Sequence, residues 1–282
     1  MHAEQVRFEQ MARPLLERFS GEAGLSVRTA DGSFCWGWQD KRLFPTASTV
    51  KVFVLGAVLE ACEKGRISLH DRIELREADK TGGSGVLCEL EAGLVMTVQD
   101  AAVLMIVLSD NTATNLMIDL AGGVDAVCHH MKRCGVTSSV LNRKLSEDPA
   151  VMNECNLAEA CCRDFTEYLQ AVYEGRVLTA EYTALFFSIM ERQQYKNFLS
   201  GMLPLVEDQE EFGIPEEKCV RVACKTGWMP GIRCDVGCLE IGGRICFYAG
   251  MTEGSRRYEA DGQHEAVRLL GRIGRILYET CI

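Results

Sequence analysis

Apolar residues recur at three- to four-residue spacing over residues 4–19, where Phe8, Met11, Leu15 and Phe19 form the stripe of an amphipathic helix. The period then shortens to two. Leu25-Ser26-Val27-Arg28-Thr29 alternates, Asp31-Gly32 supplies the residue pair of a type I′ turn, and an apolar run resumes from Phe34 to Trp38, so a β-hairpin is expected. From Thr46 the helical period returns and persists, predicting helices over 48–63, 98–108, 112–121, 123–134, 164–175 and 179–192, separated by polar or glycine-rich breaks. Strand signals reappear in Arg221 to Lys225, Asp235 to Ile241 and Arg244 to Met251, with Gly242-Gly243 as a hairpin turn. A long helix from about Ser255 to Tyr278 closes the pattern.

Strands at both ends with helices between them predict an α+β fold: an antiparallel sheet flanked by terminal helices, an inserted all-α lobe, and an active site in the cleft between. The expected boundaries are 1–45 for the N-terminal part of the α/β lobe, 46–204 for the inserted lobe and 205–282 for the C-terminal part. There is no internal repeat and no low-complexity linker.

Composition narrows the function classes. With 47% hydrophobic and 25% charged residues in 282, the chain can bury a substantial core. The net charge of −10 and the scattered Lys and Arg residues argue against a nucleic-acid partner. Charged residues interrupt every apolar run of the N-terminus, so no signal-peptide core is expected there and the expected location is cytoplasmic. The most apolar stretch, Ala101 to Leu108, is too short to span a bilayer, so no membrane partner is expected either. The fourteen cysteines lack the C-x-x-C spacing of a tetrahedral zinc site and read as reduced, mostly buried thiols; no metal or other cofactor is implied. Nothing in the pattern fixes an oligomeric state.

Candidate chemistry begins at Phe44-Pro45-Thr46-Ala47-Ser48-Thr49-Val50-Lys51, where Ser48 opens an apolar helix and Lys51 follows three residues later. A helix N-terminus favours developing negative charge, and a lysine on the same face can accept a serine proton, which makes Ser48 a candidate nucleophile and Lys51 its base. The same spacing also fits a serine N-cap followed by a solvated lysine. Ser109-Asp110-Asn111 abruptly ends the next core helix. It fits an N-cap for the helix that follows, or a hydroxyl that relays a proton to a leaving group beside an amide that orients a substrate amide. Of two Lys-Thr-Gly triplets, Lys80-Thr81-Gly82 lies in a glycine-rich loop and reads as turn chemistry. Lys225-Thr226-Gly227 follows a strand pattern, where lysine and threonine can bind a carboxylate and glycine admits a ligand backbone.

S-x-x-K, S-D-N and K-T-G in this order resemble the motif set of class A β-lactamases and penicillin-binding proteins. The similarity extends through FPTASTVKVFVLGAVLE, TVQDAAVLMIVLSDNTATNLMIDLAGG and KTGWMPGIRCDVG. The resemblance implies a β-lactamase/transpeptidase-like fold and a serine hydrolase acting on a small-molecule acyl or β-lactam substrate. In it Ser48 is acylated, Lys51 takes the proton, Ser109 relays it, and Asn111 binds the substrate amide. Lys225 and Thr226 would clamp a carboxylate with Arg233 in support, and the backbone N–H groups of Ser48 and Trp228 would form the oxyanion hole.

One departure stands out. The family's Glu-x-x-Leu-Asn loop has no counterpart; the stretch Asn142 to Ala150 offers only Glu147, with Asp148 second, as the base for deacylation. These acids also fit surface charges before a turn at Pro149. Three functions stay open at this point: a β-lactam hydrolase, a peptidase or esterase with another acyl substrate, and a non-catalytic ligand-binding protein that retains the pocket.

Overall fold

The computed structural model describes residues 3–148, 156–257 and 263–281. In chain order the elements are α1 (Ala3–Arg18), β1 (Glu22–Thr29), β2 (Cys35–Trp38), β3 (Phe44–Pro45), α2 (Lys51–Glu63), β4 (Arg72–Glu74), β5 (Val95–Thr97), α3 (Val98–Val107), α4 (Asn111–Ala121) and α5 (Val124–Arg133). There follow β6 (Val140–Leu141), β7 (Ala158–Ala160), α6 (Cys162–Tyr173), α7 (Ala180–Glu191), β8 (Val220–Met229), β9 (Ile232–Ile241), β10 (Arg244–Glu253) and α8 (Glu265–Cys281).

Among the described residues the main sheet has five strands in the order β2-β1-β10-β9-β8, every pair antiparallel. The sheet is covered on two sides, which explains why β10 reads as an almost unbroken apolar run. Phe247, Ala249 and Met251 point into the core shared with the helical layer, whereas Cys246 and Tyr248 point into the core under α1 and α8. The expected α+β arrangement, with terminal helices on one face and an inserted helical lobe on the other, is therefore the observed one. At the centre of the lobe, α2 is buried from Lys51 to Cys62, and Phe53 stacks on Phe165 of α6 at 4.6 Å. None of the described helices is long and apolar enough to cross a membrane. Twelve cysteines whose side chains are described are free, most of them buried.

The structure corrects three local expectations. The Asp31-Gly32 turn is not type I′, because only Gly32 has a positive φ (71°) there. Instead the Asp31 carboxylate accepts bonds from the Thr29 hydroxyl and from the amide and hydroxyl of Ser33, which shapes a longer loop. The helix expected from residue 48 starts as a 3₁₀ turn, Ala47–Val50, and becomes α-helical at Lys51. The last helix begins at Glu265 rather than Ser255, since Gly254 turns the chain (φ 82°) and the Ser255 hydroxyl donates to the Glu265 carboxylate at 2.8 Å. Part of the expected helix start, residues 258–262, lies outside the described residues.

Candidate active site

Ser48 sits in the 3₁₀ turn that leads into α2, half-buried at the floor of a cavity of about 730 Å³. The residue before it, Ala47, holds a φ of 45°, a left-handed conformation that a non-glycine residue adopts only when its surroundings enforce it. Thr49 helps to enforce it by donating its amide (3.1 Å) and its hydroxyl (2.7 Å) to the Thr46 carbonyl. Strand β8 runs against this turn so closely that a side chain on Gly227 would lie 2.7 Å from the Ser48 amide nitrogen and 2.9 Å from the Thr46 oxygen. Glycine is required here by proximity, not by φ.

Lys51 is fully buried beneath the cavity. Its Nζ donates to the Ser109 carbonyl (2.6 Å) and lies within hydrogen-bond distance of the Ser109 hydroxyl (3.1 Å) and Asn111 Oδ1 (2.9 Å). Burial, then the positive charge of Lys225, hold its proton affinity well below the lysine range, while Asp110 works in the opposite direction. A solvated lysine is thus excluded. Ser109, with a φ of 57°, is the second left-handed non-glycine residue at the site after Ala47.

Within Ser109-Asp110-Asn111 the two sequence readings divide between side chains. Asp110 is the structural member: it caps α4 by accepting from the Ala113 amide (2.8 Å), and its other oxygen accepts from the Val86 (2.7 Å) and Leu87 (2.9 Å) amides. Ser109 and Asn111 line the cavity. Asn111 also donates from Nδ2 to the Gly82 carbonyl at 2.8 Å, tying the cavity floor to the 80–85 loop.

Thr226, Gly227 and Trp228 line the opposite wall. Lys225 is fully buried behind it, donating to the Thr226 carbonyl at 2.6 Å, with its proton affinity lowered by burial to about 7. Arg233, paired with Trp228 in register, lies with its guanidinium 5.8 Å from the indole centre and donates to the Met229 (2.9 Å) and Ile232 (2.7 Å) carbonyls. It is not among the residues that line the cavity. Lys80 pairs with Glu77 at 2.7 Å and is not among the residues that line the cavity.

Of the two acids in the loop, Glu147 lines the cavity and Asp148 does not. The Glu147 carboxylate is exposed and leans on the facing rim, where a side chain on Gly82 would come within 2.6 Å of it. Lys144, three residues before Glu147, pairs with Asp119 at 2.7 Å. Pro149 and Ala150 lie outside the described residues.

Several residues that line or support the cavity escaped the sequence reading. The loop from Thr81 to Gly85 is turn chemistry, as its positive φ values at Gly83 (88°) and Gly85 (95°) require, yet it also forms a cavity wall. Asn115 fixes the rim by bonding the amide (2.9 Å) and carbonyl (3.0 Å) of Leu145. Asp235, fully buried, accepts from the Leu199 amide (2.9 Å) and the Tyr248 hydroxyl (3.0 Å), and burial raises its carboxyl to about 7. A buried acid in a strand of apolar residues was the signal that could have found it.

The assembled geometry can be set beside known proteins. A family model described as the beta-lactamase enzyme family matches residues 7–281. A beta-lactamase of Rhodobacter capsulatus is 32% identical over 176 residues, 61% of this chain and 58% of that protein. Beta-lactamase PSE-4 of Pseudomonas aeruginosa is 27% identical over 135 residues, 48% of this chain and 46% of that protein. The chain thus spans about half the length of the curated relatives it matches. Among solved structures, a beta-lactamase from Sphaerobacter thermophilus superposes with a TM-score of 0.84 at 32% identity, over 97% of this chain and 98% of that one. PBP-A superposes with a TM-score of 0.81 at 25% identity, over 96% and 94%. A match that leaves only the margins of the chain outside it, on a fold shared almost end to end, decides the assignment: the chain belongs to the beta-lactamase enzyme family.

Proposed function

We propose that this protein is a serine hydrolase acylated at Ser48, with a β-lactam as the acyl donor. The observation that carries the reading is Lys51: a fully buried amine with depressed proton affinity, 3.1 Å from the Ser109 hydroxyl, under the cavity that Ser48 faces. Lys51 takes the Ser48 proton as the oxygen attacks the carbonyl carbon. The oxyanion is held by the Ser48 and Trp228 amides, which the close approach of Gly227 brings onto one wall. Ser109, bonded to the Lys51 amine, passes the proton to the departing nitrogen, which completes the acyl-enzyme. Asn111 orients the substrate amide, and Thr226 supplies a hydroxyl for its carboxylate, with Lys225 buried directly behind; Arg233, expected to support that contact, is instead turned to the Met229 and Ile232 carbonyls outside the cavity lining.

Hydrolysis of the ester then falls to a water activated by Glu147, since Glu147 lines the cavity and Asp148 does not. An exposed carboxylate leaning on the far rim is poorly held for that task, and a displacement of about 1 Å costs on the order of a hundredfold in rate. Deacylation is therefore slow. The same feature favours a second reading, in which the acyl donor is a peptide or ester and β-lactams act as slow substrates.

Intact-mass spectrometry during incubation with a penicillin, a cephalosporin and a simple ester tests these steps together. A long-lived adduct is expected on the native protein, none on Ser48→Ala, and a longer-lived one on Glu147→Gln. An adduct that survives in Ser48→Ala removes the nucleophile. Release from Glu147→Gln at the native rate, with Asp148→Asn stalled, moves the base to Asp148.

A further inference from the structure

We propose that Trp228 and Tyr195 form a subsite for a planar apolar ring carried on the leaving half of the substrate, beside its carboxylate. The inference rests on the acyl-transfer reading above and names the substrate class within it. Trp228 is 66% exposed and Tyr195 47%, and the two rings line the same cavity. Large aromatic surfaces left in water at the mouth of a cavity gain by covering a ligand.

The platforms are fixed before a ligand arrives. Arg233 stacks against the Trp228 indole at 5.8 Å while its Nη1 is anchored on the Met229 and Ile232 carbonyls at 2.9 and 2.7 Å. The Tyr195 amide donates to Gln193 Oε1 at 3.0 Å, and Gln193, only 3% exposed, donates in turn to the Ile106 carbonyl at 2.7 Å. The Trp228 ring backed by Arg233 loses little freedom on binding, and the anchored backbone keeps Tyr195 at the cavity.

Strand register identifies the half of the substrate they meet. Pairing runs without a bulge from Thr226↔Asp235 to Trp228↔Arg233, so Thr226 and Trp228 share one face of β8. Asp235, on that face, accepts the Leu199 amide, which holds the segment following Tyr195 against the same side. Thr226 is the contact proposed for the carboxylate, and in a β-lactam the carboxylate belongs to the amine half that departs from the acyl carbon. The acyl half is left to the other rim, with Gly82 and Glu147. The preferred donor is then a lactam or amide whose amine half bears a carboxylate and an apolar ring together.

The test compares two cephalosporins with one acyl group, the first bearing an aryl-vinyl substituent on the leaving half and the second a methyl there. Native protein is expected to acylate about tenfold more efficiently with the first, the scale of a two-ring contact. Trp228→Ala and Tyr195→Ala should each collapse the ratio, and Trp228→Phe and Tyr195→Phe should retain most of it. A ratio unmoved by the alanine variants, or a preference that follows the aryl group when it is transferred to the acyl half, overturns the subsite. A second readout needs no chemistry: Ser48→Ala protein titrated with phenylalanine and with alanine, free carboxylates with and without a ring, followed by indole fluorescence. Phenylalanine is expected to act at about tenfold lower concentration, and equal responses overturn the subsite. Ring preference in that titration without acylation of the native protein would sink the hydrolase reading and support the subsite.

Discussion

At Gly227 a single added carbon atom would meet backbone on three sides: the Ser48 amide, the Thr46 carbonyl and the Thr49 amide, the last at 3.0 Å. None of these can swing aside as a side chain could. Gly227→Ala should therefore push β8 off the Ser48 turn and open the proposed oxyanion hole, lowering the proposed acylation rate about a hundredfold, the scale of one lost donor. Burst kinetics with a chromogenic β-lactam would measure it, and a native burst would separate Gly227 from the reaction. Asp235 makes a different kind of demand. Its carboxyl, ordinarily at 3.8, is raised to about 7 by burial, against the pull of the Leu199 amide, the Tyr248 hydroxyl and the Lys225 charge. Between about pH 4 and 7 the folded protein keeps a proton that the unfolded chain has lost, so this residue makes stability fall as pH rises through that window. Asp235→Asn, which can still accept the Leu199 amide, should remove that slope. Melting temperatures of native and variant protein across the window should converge at the acid end and diverge toward neutrality; parallel curves would show that Asp235 does not titrate there.

Elements are joined to the cavity by a few polar side chains, and Asp110 binds the most backbone. Its oxygens accept three amides, one at the start of α4 and two in the 86–87 segment. Asp110→Ala strands these donors in the interior, and a loss of roughly 2–4 kcal/mol is expected from the missing cap and the unmade bonds. Asp110→Asn should recover part of it. Chemical denaturation of the three proteins would decide, and an unchanged midpoint in the alanine variant would contradict the role. At this scale the sequence was most readable where a pattern repeats. The periods of α2 to α7 and the Gly242-Gly243 turn, with φ values of 55° and 79°, carry their own signal over many residues. The Ser48, Ser109 and Lys225 segments were legible because each breaks such a pattern. Contacts between distant segments left no local mark. Asn115 bonding Leu145, Gln193 holding the Tyr195 loop, and Asp110 gathering the 86–87 amides depend on which loop arrives beside which helix. Likewise, β8 extends to Met229 although Trp228 and Met229 are exposed, because cross-strand pairing with Arg233 and Ile232 sustains it beyond the apolar run.

For the molecule as a whole, the site lies where the helical layer meets the edge of the sheet, and each side contributes what the other lacks. The helical side brings Ser48, Lys51, Ser109 and Asn111, and the sheet brings Thr226, Gly227 and Trp228. The sheet itself has an unusual seam. Its middle pairing joins β1 to β10, with Glu22 opposite Glu253 and Thr29 opposite Cys246, segments from opposite ends of the chain. During synthesis β1 and β2 emerge before β10 as an isolated hairpin with both edges open, and the β1 edge has to wait until β10 has been made. A nascent chain that stops before Arg244 holds the serine and both lysines of the site but has no strand to seat β1 on. Long-range pairing of this kind is slow to form and exposes unpaired edge meanwhile. The hairpin is thus the segment whose edge stays unpaired longest, and the order of synthesis ensures that the Ser48 turn meets the β8 wall only after the whole helical layer has been made.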